Sequence, residues 1–220
     1  MQYDKKYEKF FKQAEEVLAH HKAGDETWAK KYEEIFLSPT SLTDEDFDKI
    51  DAIILPKDVR DYSMAEKCVA LMISCGLRFR EIAKLKRHDF IALDGDHYVD
   101  LGRVVPLPPE LYVMVMETTD NRNDYILGDG KNPVDPNMLS DKVYALLDKT
   151  GVLHENVLVA LAVKILTAKE ETKGRKKCTD MVLEENDLIE YLFRVTYSTL
   201  LYSAGAGRKQ IMYWLGLSKF

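Results

Sequence analysis

The sequence predicts a mainly α-helical fold with one small antiparallel β-sheet, an α+β class, and three observations carry that expectation. Apolar residues recur at three-to-four spacing over most of the chain, the mark of amphipathic helices. Residues 90–106 break that period and show short apolar runs around an Asp-Gly turn, the mark of a hairpin. Glycines and prolines punctuate the helices, Gly76 stopping one and Pro108 and Pro109 opening another. The 220 residues, 46% hydrophobic and 31% charged, match an ordinary globular chain and exclude a fibrous or disordered one. That length accommodates one full domain plus an appendage, or two small domains.

In order, residues 2–21 and 26–37 read as helices, with Tyr3, Tyr7, Phe10, Phe11, Ala14 and Leu18 on one stripe. Gly24 supplies a stop signal between them. Pro39 marks a boundary, so residues 1–37 are expected to be an N-terminal helical segment and residues 38–220 the main domain. Thr43 is the expected N-cap of a helix whose stripe is Phe47, Ile50 and Ile54. A strongly apolar helix over 61–75 ends at Gly76, and a second follows over 79–87. The runs FIAL, HYVDL and RVVPLP form the expected three-stranded sheet. Pro108 and Pro109 then open a helix to about residue 118. Further helices are expected over 136–150, 155–168, 184–203 and 207–216, with a polar insert, KEETKGRKKCTD, before the last two.

No apolar run reaches the roughly 18 to 20 residues that cross a bilayer, and the charged N-terminus lacks the apolar core of a signal peptide. A cytoplasmic protein without membrane association is expected. Cys68, Cys75 and Cys178 show no metal or disulfide spacing, and Cys68 and Cys75 read as buried thiols on one helix face. Asp94, Asp96, His97 and Asp100 belong to the hairpin and lack the further acidic ligands of a calcium loop. Neither a metal nor a cofactor is expected.

The net charge of −6 argues against a nucleic-acid partner until its distribution is considered. Residues 1–61 hold ten Lys/Arg against fifteen Asp/Glu, which is most of the acidity. Residues 78–87 hold five basic side chains against one Glu, and residues 173–177 hold four and no acid. Screening over a Debye length lets such local basic surfaces attract phosphate on an acidic chain.

These basic stretches lie within three ordered motifs: GLRFREIAKLKRHDF at 76–90, RVVPLP at 103–108 and LFRVTYSTLLYSAGAGRKQIMYWLG at 192–216. Together they resemble the catalytic domain of the tyrosine recombinases, the phage-integrase family, over about residues 38–220. The resemblance implies a DNA recombination or integration system of the kind found in mobile genetic elements. It also implies double-stranded DNA as the partner, several copies acting together on DNA, and cleavage through a 3′-phosphotyrosyl intermediate without a cofactor. In that chemistry two arginines stabilise the charged transition state at the scissile phosphate. Arg78 and Arg194 fall on those positions.

Other positions depart from the family's pattern. Tyr191 stands where His or Lys is usual, and Leu217 where His or Trp is usual. The hairpin carries no lysine between Phe90 and Arg103, and Arg103 is a poor general acid because guanidinium scarcely deprotonates. The nucleophilic tyrosine belongs some residues beyond Phe220; Tyr197 reads as a core aromatic and Tyr213 as a packing residue. With this incomplete set, the chain is expected to bind DNA without forming an adduct. The candidate DNA contacts are Lys84, Lys86, Arg87, Arg103, Arg175, Lys176, Lys177 and Lys209. The alternative is a regulatory or protein-interaction module on a decayed recombinase fold.

Overall fold

A computed structural model describes residues 4–25, 33–35, 37–54, 56–171 and 187–217. They fold into two compact units, one formed by residues 1–43 with 153–192 and one by residues 44–152 with 193–220. This division differs from the break expected at 37/38, because residues 153–192 group with the N-terminal segment. The reason is local. Helix α1 (Glu8–Ala23) has a stripe of Phe10, Phe11, Ala14 and Val17 that must be buried. It packs on helix α7 (Glu155–Glu171), whose Leu158, Leu161, Ala162 and Ile165 are buried.

Polar ties fix the register of that pair. Gln13 Nε2 donates to Glu155 Oε1 at 2.9 Å, and Lys22 Nζ donates to Glu170 at 2.7 and 2.8 Å. The Tyr7 hydroxyl donates to Asp187 Oδ1 at 2.8 Å. The same oxygen caps the start of helix α8 (Leu188–Ser203) by accepting from the Ile189 and Glu190 amides. Of the expected helix over 26–37, residues 26–32 and 36 lie outside the described residues, as do Cys178 and residues 172–186 of the polar insert.

The second unit opens with helix α2 (Asp44–Ile54), which buries Ile50 and Ile54. Helix α3 (Met64–Cys75) is started by a capping box, in which Ser63 and Glu66 satisfy each other's orphan amides. Glu66 is also ion-paired with Lys57. Eight of the twelve α3 residues are buried, among them Cys68 and Cys75, because the helix runs through the core against α6 (Pro136–Lys149). Gly76 ends α3 at φ +61. It is irreplaceable on two counts: L residues avoid that region, and a Cβ there would lie 2.4 Å from the Tyr197 ring.

Helix α4 is shorter than the sequence pattern suggests. It spans only Phe79–Ile82 rather than 79–87. Asp89 accepts from the Lys86 amide and starts a 3-10 turn over Arg87–Asp89, while Lys86 bridges to Tyr125. Side-chain and cross-loop partners thus replace the helical ladder. The sheet follows as expected, β1 (Phe90–Leu93), β2 (Asp96–Asp100) and β3 (Val104–Pro106) in antiparallel order 1-2-3. Leu93 pairs with Asp96 across the two-residue turn Asp94-Gly95, both at positive φ. Val99 and Val105 are fully buried from one face of the sheet, and helix α5 (Pro109–Thr118) packs on β2. The last helix among the described residues is α9 (Arg208–Trp214). No helix among the described residues is long and apolar enough to cross a membrane.

Candidate functional site: an arginine cluster at the α3–α4 turn

The left-handed turn at Gly76 releases the chain from α3 in a direction that places Arg78 at the N-cap of α4. Arg78 is 7% exposed and its amide donates to Glu81 Oε2 at 2.9 Å. The other Glu81 oxygen, Oε1, receives Arg103 Nη1 at 2.7 Å. Arg103, at the entry to β3, also donates through Nε to the Trp214 carbonyl at 2.8 Å. Its Nη2 is buried and has no hydrogen-bond partner among the described residues.

Arg194 reaches the same place from α8. It is 4% exposed, and it donates through Nη1 to the Gly76 carbonyl and through Nη2 to the Leu215 carbonyl, both at 3.0 Å. The physical logic is that of a helix C-terminus, whose last carbonyls lack partners and carry partial negative charge. Arg103 and Arg194 supply cations to two such carbonyls at the end of α9. Gly216 permits this approach: its φ is +69, and a Cβ there would lie 3.0 Å from the Arg103 guanidinium carbon.

Glu81 is the pivot of the arrangement. Burial pushes its carboxyl up, but the Arg103 hydrogen bond and charge, the Arg78 amide and the Arg194 charge together hold it below the ordinary carboxylate range. The carboxylate is therefore ionised wherever the fold persists near neutrality. The sequence names Glu81 only as a letter of the GLR motif. The spacing of an N-cap and a Glu three residues on was the signal that it braces the turn.

The remaining sequence candidates are distributed differently. Leu217 packs, half-buried, against the cluster of Tyr197, Ile211 and Leu215. Tyr197 is buried there, and burial pushes its phenol well above the ordinary range, consistent with a core aromatic. The Tyr213 hydroxyl accepts from the Val104 amide at 3.2 Å, tying α9 to β3. Tyr191 lies on α8 three residues before Arg194 and is half-buried. Lys84 and Lys209 are exposed. Lys86 lies over the Tyr125 ring at 4.8 Å, and Arg87 is half-buried with its Nε unpartnered among the described residues, both against the 122–125 loop rather than at the arginine cluster. Arg175, Lys176 and Lys177 lie outside the described residues.

No family model matches the sequence, and no curated protein matches it. Solved structures do resemble it. XerA recombinase is similar with a TM-score of 0.51 at 15% identity, over 82% of this chain and 57% of that one. The Tn1549 transposon integrase, in a complex with circular-intermediate DNA, gives a TM-score of 0.45 at 16% identity, over 83% of this chain and 59% of that one. The chain thus spans somewhat more than half the length of the structures it resembles. Mostly helical with one three-stranded antiparallel sheet, this chain has the fold of a tyrosine recombinase catalytic domain.

Proposed function

We propose that this chain is an integrase-like DNA-binding protein of a DNA recombination system, with a backbone phosphate of double-stranded DNA received at the arginine cluster. The observation that carries this reading is the convergence of Arg78 and Arg194, 116 positions apart, on one turn: Arg194 Nη1 bonds the carbonyl of Gly76, two residues before Arg78. A guanidinium offers planar, forked donors that match phosphate oxygens. The unpartnered Nη2 of Arg103 adds a buried donor that an oxyanion would satisfy. Lys84 and Lys209, both exposed, supply the longer-range attraction. Assembly of several copies on DNA and a place in a mobile element belong to the same reading.

Strand cleavage by these residues is not part of it. Arg103 stands where the family's hairpin would offer a proton-donating lysine, and its guanidinium is committed to Glu81 and Trp214. The Leu217 side chain has no hydrogen-bonding group where His or Trp is usual and is packed among apolar side chains. That packing also favours a second reading, a regulatory or protein-interaction module on the same fold, which would need no DNA affinity at all.

A fluorescent duplex titrated with the protein at low and moderate salt separates the two. The DNA reading expects binding that weakens steeply with salt. Replacing Lys84 and Lys209 together by Ala is expected to lower affinity and reduce the salt slope by about two. A nicked suicide substrate is expected to trap no covalent product. Absence of salt-dependent duplex binding would sink the DNA reading in favour of the second. A protease-sensitive adduct abolished by one Tyr→Phe change would overturn the absence of cleavage.

A further inference from the structure

Away from the arginine cluster, the second unit contains a cavity of about 430 Å³ between the start of α3, the end of α5 and the 124–130 loop. One part of its wall consists of donors. Lys67 Nζ donates to Thr118 Oγ1 at 3.0 Å, and Thr118 in turn donates to the Met114 carbonyl at 2.7 Å. The hydroxyl proton of Thr118 is thereby spent, while two of the three Lys67 protons remain. Among the described residues no carboxylate forms an ion pair with Lys67, and burial alone pushes its pKa below the ordinary lysine range. Next to it, Thr119 is 6% exposed and its hydroxyl is buried without a partner among the described residues. Such a group is costly unless something satisfies it.

Other parts of the lining are acidic. Asp120 and Asp124 line the cavity, and neither forms an ion pair among the described residues. Asp129 differs, because its carboxylate is turned into its own loop by the amides of Lys131 and Asn132. The loop is held in shape by the Tyr125 amide donating to the Gly130 carbonyl at 2.7 Å. Gly130, at φ +73, passes so close to Asp124 that a Cβ would lie 3.4 Å from the Asp124 Cβ. The cavity therefore presents an uncompensated cation and a buried donor together with two unpaired carboxylates. A simple cation would meet Lys67, and a phosphate would meet Asp120 and Asp124. A molecule with one charge of each sign satisfies both.

We propose that this cavity binds a small zwitterion of the amino-acid class, its carboxylate taken by Lys67 and Thr119 and its ammonium by Asp120 and Asp124. This site is separate from the arginine cluster, and the proposal does not depend on DNA binding.

Isothermal titration of the full chain with ε-aminocaproate, caproate and hexylamine tests it, since the latter two each keep one end of the zwitterion. ε-Aminocaproate is expected to bind saturably with Kd at or below about 1 mM, and each half-molecule about tenfold more weakly. Lys67→Met is expected to weaken ε-aminocaproate about tenfold without weakening hexylamine, whose like-charge repulsion it removes; Asp124→Asn is expected to weaken hexylamine without weakening caproate. Thr119→Val, which keeps the side-chain volume, is expected to weaken both carboxylates and provides the readout should Lys67→Met fail to fold. No saturable heat from ε-aminocaproate overturns the proposal. So does equal binding by caproate, or wild-type affinity in Thr119→Val.

Discussion

Two groups of basic residues in this chain use positive charge in opposite ways. At the α3–α4 turn, Arg194 is buried and its nitrogens bond backbone carbonyls, while Arg103 is held by a carbonyl and by Glu81. At Lys84 and Lys209 the charged groups stand in solvent. The first region holds the fold together and has a defined geometry; the second adds charge to the surface and little to stability. A count of Lys and Arg treats them alike. The difference is one of desolvation: a buried guanidinium has to be hydrogen-bonded, whereas an exposed ammonium keeps its water.

The contrast is broken most severely at Arg194. Replacing it by Ala strands the carbonyls of Gly76 and Leu215 and empties a buried site, with an expected loss of about 3 to 4 kcal/mol in urea unfolding. A change below about 1 kcal/mol would mean that those carbonyls find other partners and that the arginine is not structural. Gly76→Ala comes next. It forces an L residue to φ +61 and into the Tyr197 ring, and about 2 to 3 kcal/mol should be lost through backbone strain and overpacking. An unshifted melting temperature would show that the Tyr197 ring can move aside.

Glu81 sharpens the comparison through pH. Its carboxyl ionises below the ordinary range in the folded chain, so it adds stability that is fully present above its unfolded pKa of about 4.3. That stability is lost as pH falls through the lower folded value. Stability followed by urea unfolding from pH 7 to pH 3 should therefore fall less steeply in Glu81→Gln than in the parent. At pH 7 the variant itself should be about 1 to 2 kcal/mol less stable, having lost a charge-assisted bond to Arg103. Identical pH profiles would show that Glu81 is not the brace of the turn. The smallest effect belongs to the exposed region: Lys84→Ala should leave stability within about 0.5 kcal/mol while weakening any DNA binding. A larger stability change would place Lys84 with the structural arginines.

Much of the site was legible because its chemistry is written in short motifs. GLR encodes a helix stop and an arginine at the turn that follows, and both form as the spacing implies, whereas the bracing of that turn by Glu81 shows only in the fold. The Asp-Gly hairpin likewise forms where its turn residues demand positive φ. Less legible was the end of α4, because Lys86, Arg87 and His88 find partners in the 122–125 loop, more than thirty residues away. Nor did the sequence reveal that Arg103 and Tyr213 tie the last helix to β3, since nothing in a local pattern predicts which carbonyl a long side chain will reach.

The sequence by itself determined the helical class, the one small sheet and the two arginines worth following, because periodicity, turn chemistry and motif spacing are local properties of the chain. Tertiary structure alone decided that Arg194 meets the carbonyl of Gly76, that Arg103 Nη2 is buried with no partner among the described residues, and that Lys67 and Thr119 line one cavity with Asp120 and Asp124. Those outcomes depend on which polar groups lose their water together when distant segments pack, and burial of that kind has no local signature.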